Sequence, residues 1–486
     1  MNNKIIAIIL IAAVVIASGY VYITYLSGPP TSQGIVIFKN LVVSPLKVVE
    51  GKSISITVNA SNIEATSKTS IITLKVNNTV DTSKDVSFNP RESKIVSFTI
   101  SKNKGYYIIS IGNLTGSFSV ISASEAVTLA IITRHDTTIW SVFEPVFLAS
   151  NYAYQYNIMD LKWLSPDAGL WRDTIGATDV DVAWGGGPTL FDTLVSYNLL
   201  SPLENGTYAM QMTNEINDTI AGGSMKRFDN QQRVLWVAAA ISSFGFTINN
   251  DVLTIDQLPT PNRWEDLANE TYGKLLPIAT ISMGNAPGTT SNTRIYEIII
   301  QAFGWNDGWR ILTRMAGNAG IYGGSVETQS AVEQGSVAVG MSIDYYGFTS
   351  HVNFPSCQYI LPQGETIING DPIALVSRSK YKSAAQAFIG WVLSPEGQTL
   401  WLDKRVNRMP VRNVFRTEVG RQRSDLYNLF NSTILNVGIP FSDDVAISYE
   451  QSLMYYFEAV LKNQHDYLSG IQGAWTAIVK AKASQK

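Results

Sequence analysis

The sequence has little cysteine and little charge. One cysteine, Cys357, occurs in 486 residues, which excludes an internal disulfide framework and a cysteine-based metal cluster. Charged side chains make up 15% of the chain, and 36 basic residues against 39 acidic ones give a formal net charge of −3. This balance provides no basic surface for a nucleic acid. Because Asn, Ser, Thr and Gly are plentiful, the polar surface is largely uncharged, which suits an extracellular protein.

Sequence motifs of common enzyme classes are also missing. The chain has no Gly-x-Ser-x-Gly elbow, no His-Glu-x-x-His pair and no phosphate-loop lysine motif. Glu144 and Asp181 could form a hydrolase pair, but nothing in their spacing supports one. We therefore predict that the protein is not an enzyme.

One long apolar run lies near the start, over residues 5–26. Its length suits a bilayer span, and Lys4 before it places the N-terminus inside the cell. A cleaved signal peptide, with a small-residue site at Ala17–Gly19, is the alternative. Residues 1–33 are thus predicted to be a transmembrane anchor or signal segment and stalk, in a single-pass protein of the cell membrane whose functional domains are extracellular. Glycosylation sequons follow at Asn59, Asn77, Asn113, Asn205, Asn217, Asn269 and Asn431.

Residues 34–122 have the pattern of short β-strands. Segments such as SISITVNAS and KIVSFTIS alternate apolar and polar residues between turns that contain Asn, Gly or Pro. Roughly seven such strands in this length predict an all-β sandwich of immunoglobulin type. Through the segments LKVVEGKSISITVNASN and NPRESKIVSFTI, the region resembles the immunoglobulin-like modules of archaeal and bacterial surface proteins. The resemblance implies a spacer or an adhesive module.

Strands and helices alternate from residue 123 onward. VTLAIIT predicts a strand, PTLFDTLVSY a helix, and LLPIATIS a further strand before the helix TSNTRIYEIIIQAFG. This alternation predicts an α/β fold with a largely parallel sheet. The extended segment VLWVAAAISSFGFTIN lies between two such sets, so we predict two lobes with a cleft between them and hinges near Leu235–Ile248 and Ile343–Pro372. The helical C-terminal third is expected to pack on the first lobe.

The stretch VAVGMSIDYYGF, residues 337–348, has the pattern of a ligand-binding strand end. It begins as a buried strand and ends on Asp344, Tyr345 and Tyr346. An open α/β sheet presents polar groups to ligands at such strand ends, although the tyrosines could equally cap the strand and pack against a loop. Two more strand-like segments are expected after it, around a turn at Asn369–Pro372.

Several segments occur in the order seen in extracellular solute-binding proteins of ABC importers, among them DVAWGGGPTLFDTLVSYNLLSPL, IYEIIIQAFGWNDGWRILTRMAGNA, VAVGMSIDYYGF, FIGWVLSPEGQTLWL and RMPVR. The region of about Ala126–Phe415 resembles the ferric-iron and anion-binding branch of the two-lobed type II periplasmic-binding fold. The resemblance implies a receptor that captures a solute outside the cell, closes its lobes around it and delivers it to an ABC permease. Residues 123–486 are thus expected to form the solute-binding domain, with lobe 1 at about 123–240 and 355–486 and lobe 2 at about 241–354.

Loops at predicted strand ends supply the candidate ligand contacts. The first loop follows VTLAIIT, the second is the glycine turn WGGGP, and the third, GTTSNT, begins a helix whose N-terminus attracts an anion. Ordinary capping by Ser or Thr is the structural alternative for the third loop. A fourth candidate loop is Gly323–Ser325. Together with the tyrosine stretch, the candidate ligand-binding residues are His135, Asp136, Thr137, Trp184, Gly185, Gly186, Thr289, Thr290, Ser291, Asp344, Tyr345 and Tyr346.

Two solute classes fit these residues. Tyr345 and Tyr346 match the adjacent tyrosines of ferric-binding relatives, phenolate oxygen is a hard donor suited to Fe(III), and the resemblance implies His135 as a further metal ligand. In other relatives, Ile-Asp followed by two aromatics accompanies organic or phosphorylated solutes, and the loops would then hold a phosphate or carboxylate. No cofactor is expected beyond the transported ligand. A surface structural or adhesive glycoprotein that uses a binding-protein fold is the alternative function.

Overall fold

The computed structural model describes residues 36–436 and 438–484. The predicted anchor and stalk, residues 1–33, lie outside this part of the chain. Contacts between α-carbons divide the chain into two compact units. The first unit extends to Thr128 and takes in Pro145–Asp160, and the second consists of Leu129–Glu144 and the chain from Leu161 onward.

The first unit contains two β-sheets that share one apolar core. Its strands are β1 (Val36–Ser44), β2 (Lys47–Val49), β3 (Ile54–Asn62), β4 (Lys68–Val76), β5 (Thr79–Phe88), β6 (Ser93–Ile100), β7 (Gly105–Ile111) and β8 (Leu114–Ile121). One sheet has the order β1-β3-β6 and the other β2-β8-β7-β4-β5. Alternate residues Ile54, Ile56 and Val58 of β3 enter a core that also contains Ile72 and Phe118, as the period of two in a strand requires. Residues 34–122 were expected to be all-β, and the described strands agree; the immunoglobulin type stays a prediction.

The remaining strands and the helices follow in chain order. The strands are β9 (Val127–Thr133), β10 (Ile158–Leu164), β11 (Val182–Trp184), β12 (Leu200–Ser201), β13 (Thr219–Ile220), β14 (Gly223–Ser224), β15 (Lys226–Phe228), β16 (Val234–Asn249), β17 (Ile281–Gly284), β18 (Ala319–Tyr322), β19 (Val339–Ile343), β20 (Cys357–Ile360), β21 (Ile368–Val376) and β22 (Met409–Pro410). The helices are α1 (Thr137–Leu148), α2 (Asn151–Gln155), α3 (Trp171–Ala177), α4 (Pro188–Ser196), α5 (Tyr208–Asn214), α6 (Asn250–Ile255), α7 (Thr290–Phe303), α8 (Trp305–Asn318), α9 (Ser325–Glu333), α10 (Asp344–Asn353), α11 (Lys382–Leu393), α12 (Pro395–Leu400), α13 (Glu418–Arg421), α14 (Ser424–Leu435), α15 (Asp443–Tyr456) and α16 (Ile471–Ala483).

Two sheets of the second unit share the long strand β16. We call the part of the unit built on the first sheet the first lobe and the part built on the second sheet the second lobe. The strand order is β9, β11, β21, β16 in the first lobe and β16, β19, β17, β18 in the second. The partner of β16 changes from β21 to β19 between Ser243 and Phe244. Every residue of β16 is buried, because the strand serves both cores. The extended segment predicted at this place is therefore one continuous strand.

Helix starts converge where parallel strands end. β9 and β11 run parallel in the first lobe, and β17 runs parallel to β18 and β19 in the second. The carboxyl ends of parallel strands lie at one edge of a sheet, which is where open α/β sheets bind ligands. The helices α1, α4, α7, α9 and α10 each begin a few residues after one of these strands. The loops between them are thus brought together in each lobe.

The turn predicted at Asn369–Pro372 is wrong, because these residues lie inside β21. Proline has no N–H for the ladder and is found in sheets at edges or bulges. A register shift of β16 between Ala238 and Ala240, opposite Pro372 and Asp371, provides such a bulge. The chain turns instead between β20 and β21.

The C-terminal helices only partly follow the expectation that they pack on the first lobe: α11 packs on α5 and β21 of that lobe, but α15 and the residues after it pack mainly on the second lobe. Leu453, Phe457 and Leu461 belong to the core of the second lobe, and Phe457 stacks on Tyr296 of α7 with ring centroids 4.6 Å apart. Spacing of four residues predicts one buried helical face, but it does not identify the lobe that covers this face. The lobe boundaries given above remain predictions.

Candidate functional site

A cavity of about 980 Å³ lies among the loops at these strand ends. Four segments of its wall follow parallel strands: residues 134–136 after β9, 186–189 after β11, 286–291 after β17 and 323–327 after β18. Both lobes therefore contribute to one wall. A cavity of this size can enclose a small organic molecule.

Hydroxyl groups gather where α7 and α9 begin. Thr289 caps α7, since its hydroxyl accepts a hydrogen bond from the Asn292 N–H at 3.2 Å. The hydroxyls of Thr289 and Ser291 both form hydrogen bonds with the Ser325 hydroxyl, and the bond between Ser291 and Ser325 is 2.8 Å long. We call Thr289, Ser291 and Ser325 the hydroxyl cluster. Because the first N–H groups of a helix are unpaired and carry partial positive charge, the cluster is suited to an anion.

The glycine turn after β11 faces a charged pair. Gly185, Gly186 and Gly187 have φ values of +79°, +114° and +87°, a region that residues with a side chain rarely adopt. The Gly186 N–H donates to Asp371 Oδ1 at 3.1 Å. The other oxygen of Asp371 lies 2.8 Å from Arg408 Nη2, and both side chains are almost fully buried. The turn is thus fixed from β21 by a carboxylate whose charge Arg408 balances.

The His135 ring lies beside this pair. Its Nε2 is 3.3 Å from Asp371 Oδ2, and its ring meets Trp184 and Trp401 edge-on with centroids 4.9 and 5.6 Å away. Burial lowers the pKa of His135 to about 4, although Asp371 opposes this shift. The imidazole is therefore neutral at physiological pH and adds no positive charge to the cavity.

Two tyrosines from α10 line the cavity opposite α1. The Tyr345 hydroxyl donates to Asp136 Oδ2 at 2.8 Å, and Asp136 Oδ1 accepts from the Thr138 N–H of α1 at 2.9 Å. Burial raises the pKa of Tyr345 well above its usual range, with Asp136 adding to the shift, and raises the pKa of Tyr346 to about 12. Both phenols therefore keep their protons at neutral pH.

Arg294 connects the two lobes at the cavity wall. It belongs to α7 of the second lobe, and its guanidinium donates to Thr189 Oγ1 of α4 at 2.9 Å and to Asn369 Oδ1 of β21 at 3.0 Å. Carboxylates of Glu297 and Asp443 accept its remaining hydrogen bonds. Four partners on four elements fix this side chain in one position.

A known protein family matches a large part of the chain. Residues 173–419, just over half of the chain, match the family described as bacterial extracellular solute-binding protein. The chain belongs to this family. The family is one of solute-binding proteins, whose members are in general not enzymes.

A curated relative of this solute-binding protein matches about half of the chain in sequence. The phosphoglycerate transport regulatory protein PgtC of Salmonella typhimurium is 28% identical over 242 residues, 49% of this chain and 55% of that protein. The chain thus spans about half the length of the curated relatives that it matches.

Two solved structures have the same mixed α/β, two-lobed, type II periplasmic-binding fold. Iron-bound HitA from Pseudomonas aeruginosa has a TM-score of 0.52 at 17% identity and covers 68% of this chain and 98% of its own. AfuA from Actinobacillus pleuropneumoniae, with exogenous fructose-6-phosphate bound, has a TM-score of 0.50 at 14% identity and covers 63% of this chain and 98% of its own. At such identities the likeness shows the fold alone.

The predicted location as a single-pass membrane protein is corrected by these findings. Over residues 36–436 and 438–484, none of the helices has the length and apolar character needed to cross a membrane. The family of this solute-binding protein is extracellular or periplasmic.

Asp344, a predicted ligand contact, is turned away from the cavity of the solute-binding protein. Its Oδ2 accepts from the N–H and hydroxyl of Ser243 at 2.6 and 3.1 Å, and its Oδ1 accepts from the Tyr345 N–H at 2.7 Å. Burial raises the pKa of Asp344 to about 7, against the opposing effect of Arg408. The residue holds the start of α10 against β16, which corrects its predicted role.

Three more predicted contacts are not part of the cavity wall. Trp184 is fully buried and packs against Phe143 and other aromatic side chains, and Thr137 is exposed at the start of α1. Gly185 lies against His135, whose Nε2 would be 2.5 Å from an added Cβ. The wall does contain the other predicted residues, namely His135, Asp136, Gly186, Thr289, Thr290, Ser291, Tyr345 and Tyr346.

Sequence reasoning missed several charged residues of the wall, among them Arg294, Glu297 and Arg408. The first two are separated by one helical turn inside the apolar segment TSNTRIYEIII. Charged residues are almost never buried unless they are paired, so two of them in a buried helix are a usable signal. Arg408 follows no such pattern, because its partner Asp371 is distant in sequence.

Proposed function

We propose that this receptor captures a small phosphorylated solute in the cavity and delivers it to an ABC permease. The observation that carries the proposal is the hydroxyl cluster, in which Thr289, Ser291 and Ser325 lie at the starts of two helices. An anion placed there would accept hydrogen bonds from hydroxyls and from first-turn N–H groups at once. Tetrahedral phosphate oxygens suit donors that arrive from several directions.

The relatives support the same chemistry. The name of PgtC refers to phosphoglycerate, and AfuA has a solved structure with fructose-6-phosphate. Both ligands pair a phosphate with a short polyhydroxyl or carboxylate body. We therefore propose an organic phosphate rather than inorganic phosphate as the transported solute.

Ferric iron is the second candidate, favoured by Tyr345 and Tyr346 in the wall. Its phenolate donors would have to form against the raised pKa values of both tyrosines. The Tyr345 hydroxyl would also lose its hydrogen bond to Asp136. His135, the third predicted metal ligand, is packed among Trp184 and Trp401. For these reasons we place Fe(III) after the organic phosphate.

We further propose an immunoglobulin-like module at residues 34–122 and a solute-binding domain at residues 123–486. The order β1-β3-β6 in one sheet and β2-β8-β7-β4-β5 in the other supports the proposal, as does the parallel pairing of β2 with β8. The module would act as a spacer or in adhesion. An adhesive glycoprotein without transport is the rival function, and it predicts unchanged solute uptake in a Ser291→Ala, Ser325→Ala variant.

Calorimetric titration of residues 34–486 tests the proposal. The probes are 3-phosphoglycerate, fructose-6-phosphate, inorganic phosphate, ferric citrate and the unphosphorylated sugar. We expect binding of an organic phosphate and none of its unphosphorylated counterpart. Binding of ferric citrate with a tyrosinate-to-iron colour that Tyr346→Phe abolishes would replace the organic phosphate by iron as the solute.

Variants of the hydroxyl cluster locate the phosphate. Hydrogen bonds to charged groups contribute about 1.5–3 kcal/mol each, so Ser291→Ala with Ser325→Ala should weaken phosphate binding by roughly tenfold or more. Ser330→Ala, later in α9 and outside the cavity wall, is the matched control and should leave the affinity unchanged. Equal affinities in the two variants would place the phosphate elsewhere.

A further inference from the structure

One end of the cavity is formed by a helix outside the family match. Glu450, Gln451, Met454 and Tyr455 line the cavity, and all four belong to α15 or its last turn. The family match ends at residue 419. The family pattern alone therefore does not determine what this end of the cavity recognises.

The helix α15 is fixed in place on both sides of this end. Asp443 in its first turn accepts a hydrogen bond from Arg294 of α7, and the Gln301 side chain donates to the Ser442 carbonyl at 3.0 Å. Farther along, Leu453 belongs to the core of the second lobe, and α15 also contacts α4 of the first lobe. The helix is thus a wall of the site and not a loosely attached extension.

This wall brings more carboxylates than cations to the α15 end. Glu297, Asp443 and Glu450 all act on Arg294, so three carboxyl groups face one guanidinium. Glu297 is 1% exposed, and its Oε2 accepts from Arg294 Nη1 at 3.1 Å. Its Oε1 has no hydrogen-bond partner among the described residues. A buried carboxyl oxygen without a donor is costly, and this one belongs to a residue of the cavity wall.

The raised pKa values of Glu297 and Glu450 reflect this excess of carboxyl groups. Burial raises the pKa of Glu297 to about 8, with Arg294 opposing the shift and Glu450 adding to it. Burial likewise raises the pKa of Glu450. Both carboxyl groups would therefore gain from a positively charged donor between them, and among the described residues no lysine lines the cavity to provide one.

We infer that Glu297 and Glu450 form a subsite for an ammonium group, so that the solute carries a cation as well as a phosphate. This inference rests on the proposed phosphate at the hydroxyl cluster. The ammonium would donate to Glu297 Oε1 and to Glu450, while Arg294 keeps its bonds to Asp443 and Thr189. An ω-aminoalkyl phosphate is the simplest molecule with both groups.

Affinity measurements on the full chain test the subsite. We would titrate aminoalkyl, hydroxyalkyl and plain alkyl phosphates, matched in length and taken over a series of increasing chain lengths. The expected result is an optimum length at which the ammonium compound binds about tenfold or more tighter than the hydroxyl and methyl compounds. Glu450→Gln should remove most of this preference, measured as the ratio of the affinities for the ammonium compound and the plain alkyl compound of the same length.

Two controls separate the subsite from general effects. Asp444→Asn neutralises an exposed acid on the same helix and should keep the preference, which excludes a long-range charge effect. Glu297→Gln should also lose the preference. Thermal unfolding of this variant shows whether the loss reflects misfolding. If the variant is misfolded, the result for Glu450→Gln alone tests the subsite. Plain alkyl phosphates that bind as tightly as the ammonium compounds would overturn the subsite and leave the proposed function standing. If no phosphate compound binds, both are overturned.

Discussion

The Tyr345 hydroxyl of the second lobe and the Asp136 carboxylate of the first lobe form a hydrogen bond 2.8 Å long. Both residues line the cavity, so this bond joins the lobes directly beside the solute. A hydrogen bond to a charged carboxylate contributes about 1.5–3 kcal/mol. It therefore favours the arrangement in which the lobes enclose the solute, without the aid of the solute itself.

Tyr345→Phe should consequently weaken solute binding by about tenfold or more, because the closed arrangement loses at least roughly 1.5 kcal/mol. Small-angle scattering without solute should show a more extended receptor, and titration should show the loss of affinity. Tyr381→Phe changes an exposed tyrosine and is the control. An unchanged affinity in Tyr345→Phe would mean that this bond does not bias closure.

Arg408 and Asp371 give a prediction about stability. Removing one partner of a buried ion pair leaves an uncompensated charge and costs about 3–5 kcal/mol. Arg408→Ala should lower the free energy of unfolding in urea by this amount. Arg405→Ala breaks an exposed pair with Asp403 and should cost about 1 kcal/mol or less. Similar losses in both variants would show that the Arg408 pair is no more important than a surface pair.

Arg408→Ala should also change the pKa of His135. Arg408 is one cause of the lowered pKa of His135, next to burial, and Asp371 would attract a proton on the ring more strongly without it. The pKa of His135 should therefore rise above about 4 in Arg408→Ala, as measured by NMR titration of the ring. A pKa that stays at its original value would leave burial as the sole cause.

Sequence patterns predicted the strands and loops well, because strand period and glycine content are local properties. The segment that became β16 and the loop that carries Thr289 and Ser291 were both recognisable. The direction of side chains at a strand-to-helix junction could not be recognised from the sequence. Asp344 and Tyr345 are neighbours, yet α10 starts at Asp344, which turns its carboxylate toward Ser243 and leaves Tyr345 facing the cavity.

Contacts between distant segments were beyond the reach of local patterns. The pairing of Arg408 with Asp371 depends on β22 and β21 both lying against β16. Likewise, nothing in the apolar spacing of Leu453 and Phe457 reveals that the second lobe covers them. The charged half of the site, including Glu450, follows from such tertiary placement and could not be read from the sequence.

The packing of α15 and the residues after it on the second lobe predicts a large effect of Phe457→Ala. Phe457 is fully buried and stacks on Tyr296, and such truncations cost about 3–5 kcal/mol. Unfolding in urea should show this loss, and solute affinity should fall as well because α15 leaves the cavity. Leu468→Ala, at an exposed position in the same part of the chain, serves as the control. Full stability in Phe457→Ala would contradict the packing of this segment on the second lobe.

The raised pKa of Asp344 predicts how the free energy of unfolding depends on pH. Its pKa is about 7 in the folded protein and near 3.9 in an unfolded chain, so the folded state binds more protons between these values. The contribution of Asp344 to the free energy of unfolding is therefore full below about pH 4. It decreases as the pH rises toward 7 and is constant above that. Asp344→Asn should be less stable, since its amide cannot accept from both Ser243 and Tyr345. The difference between the wild type and Asp344→Asn, measured by urea unfolding from pH 4 to 8, should shrink with rising pH; a difference that grows instead would mean that the hydrogen bonds to the carboxylate outweigh its burial.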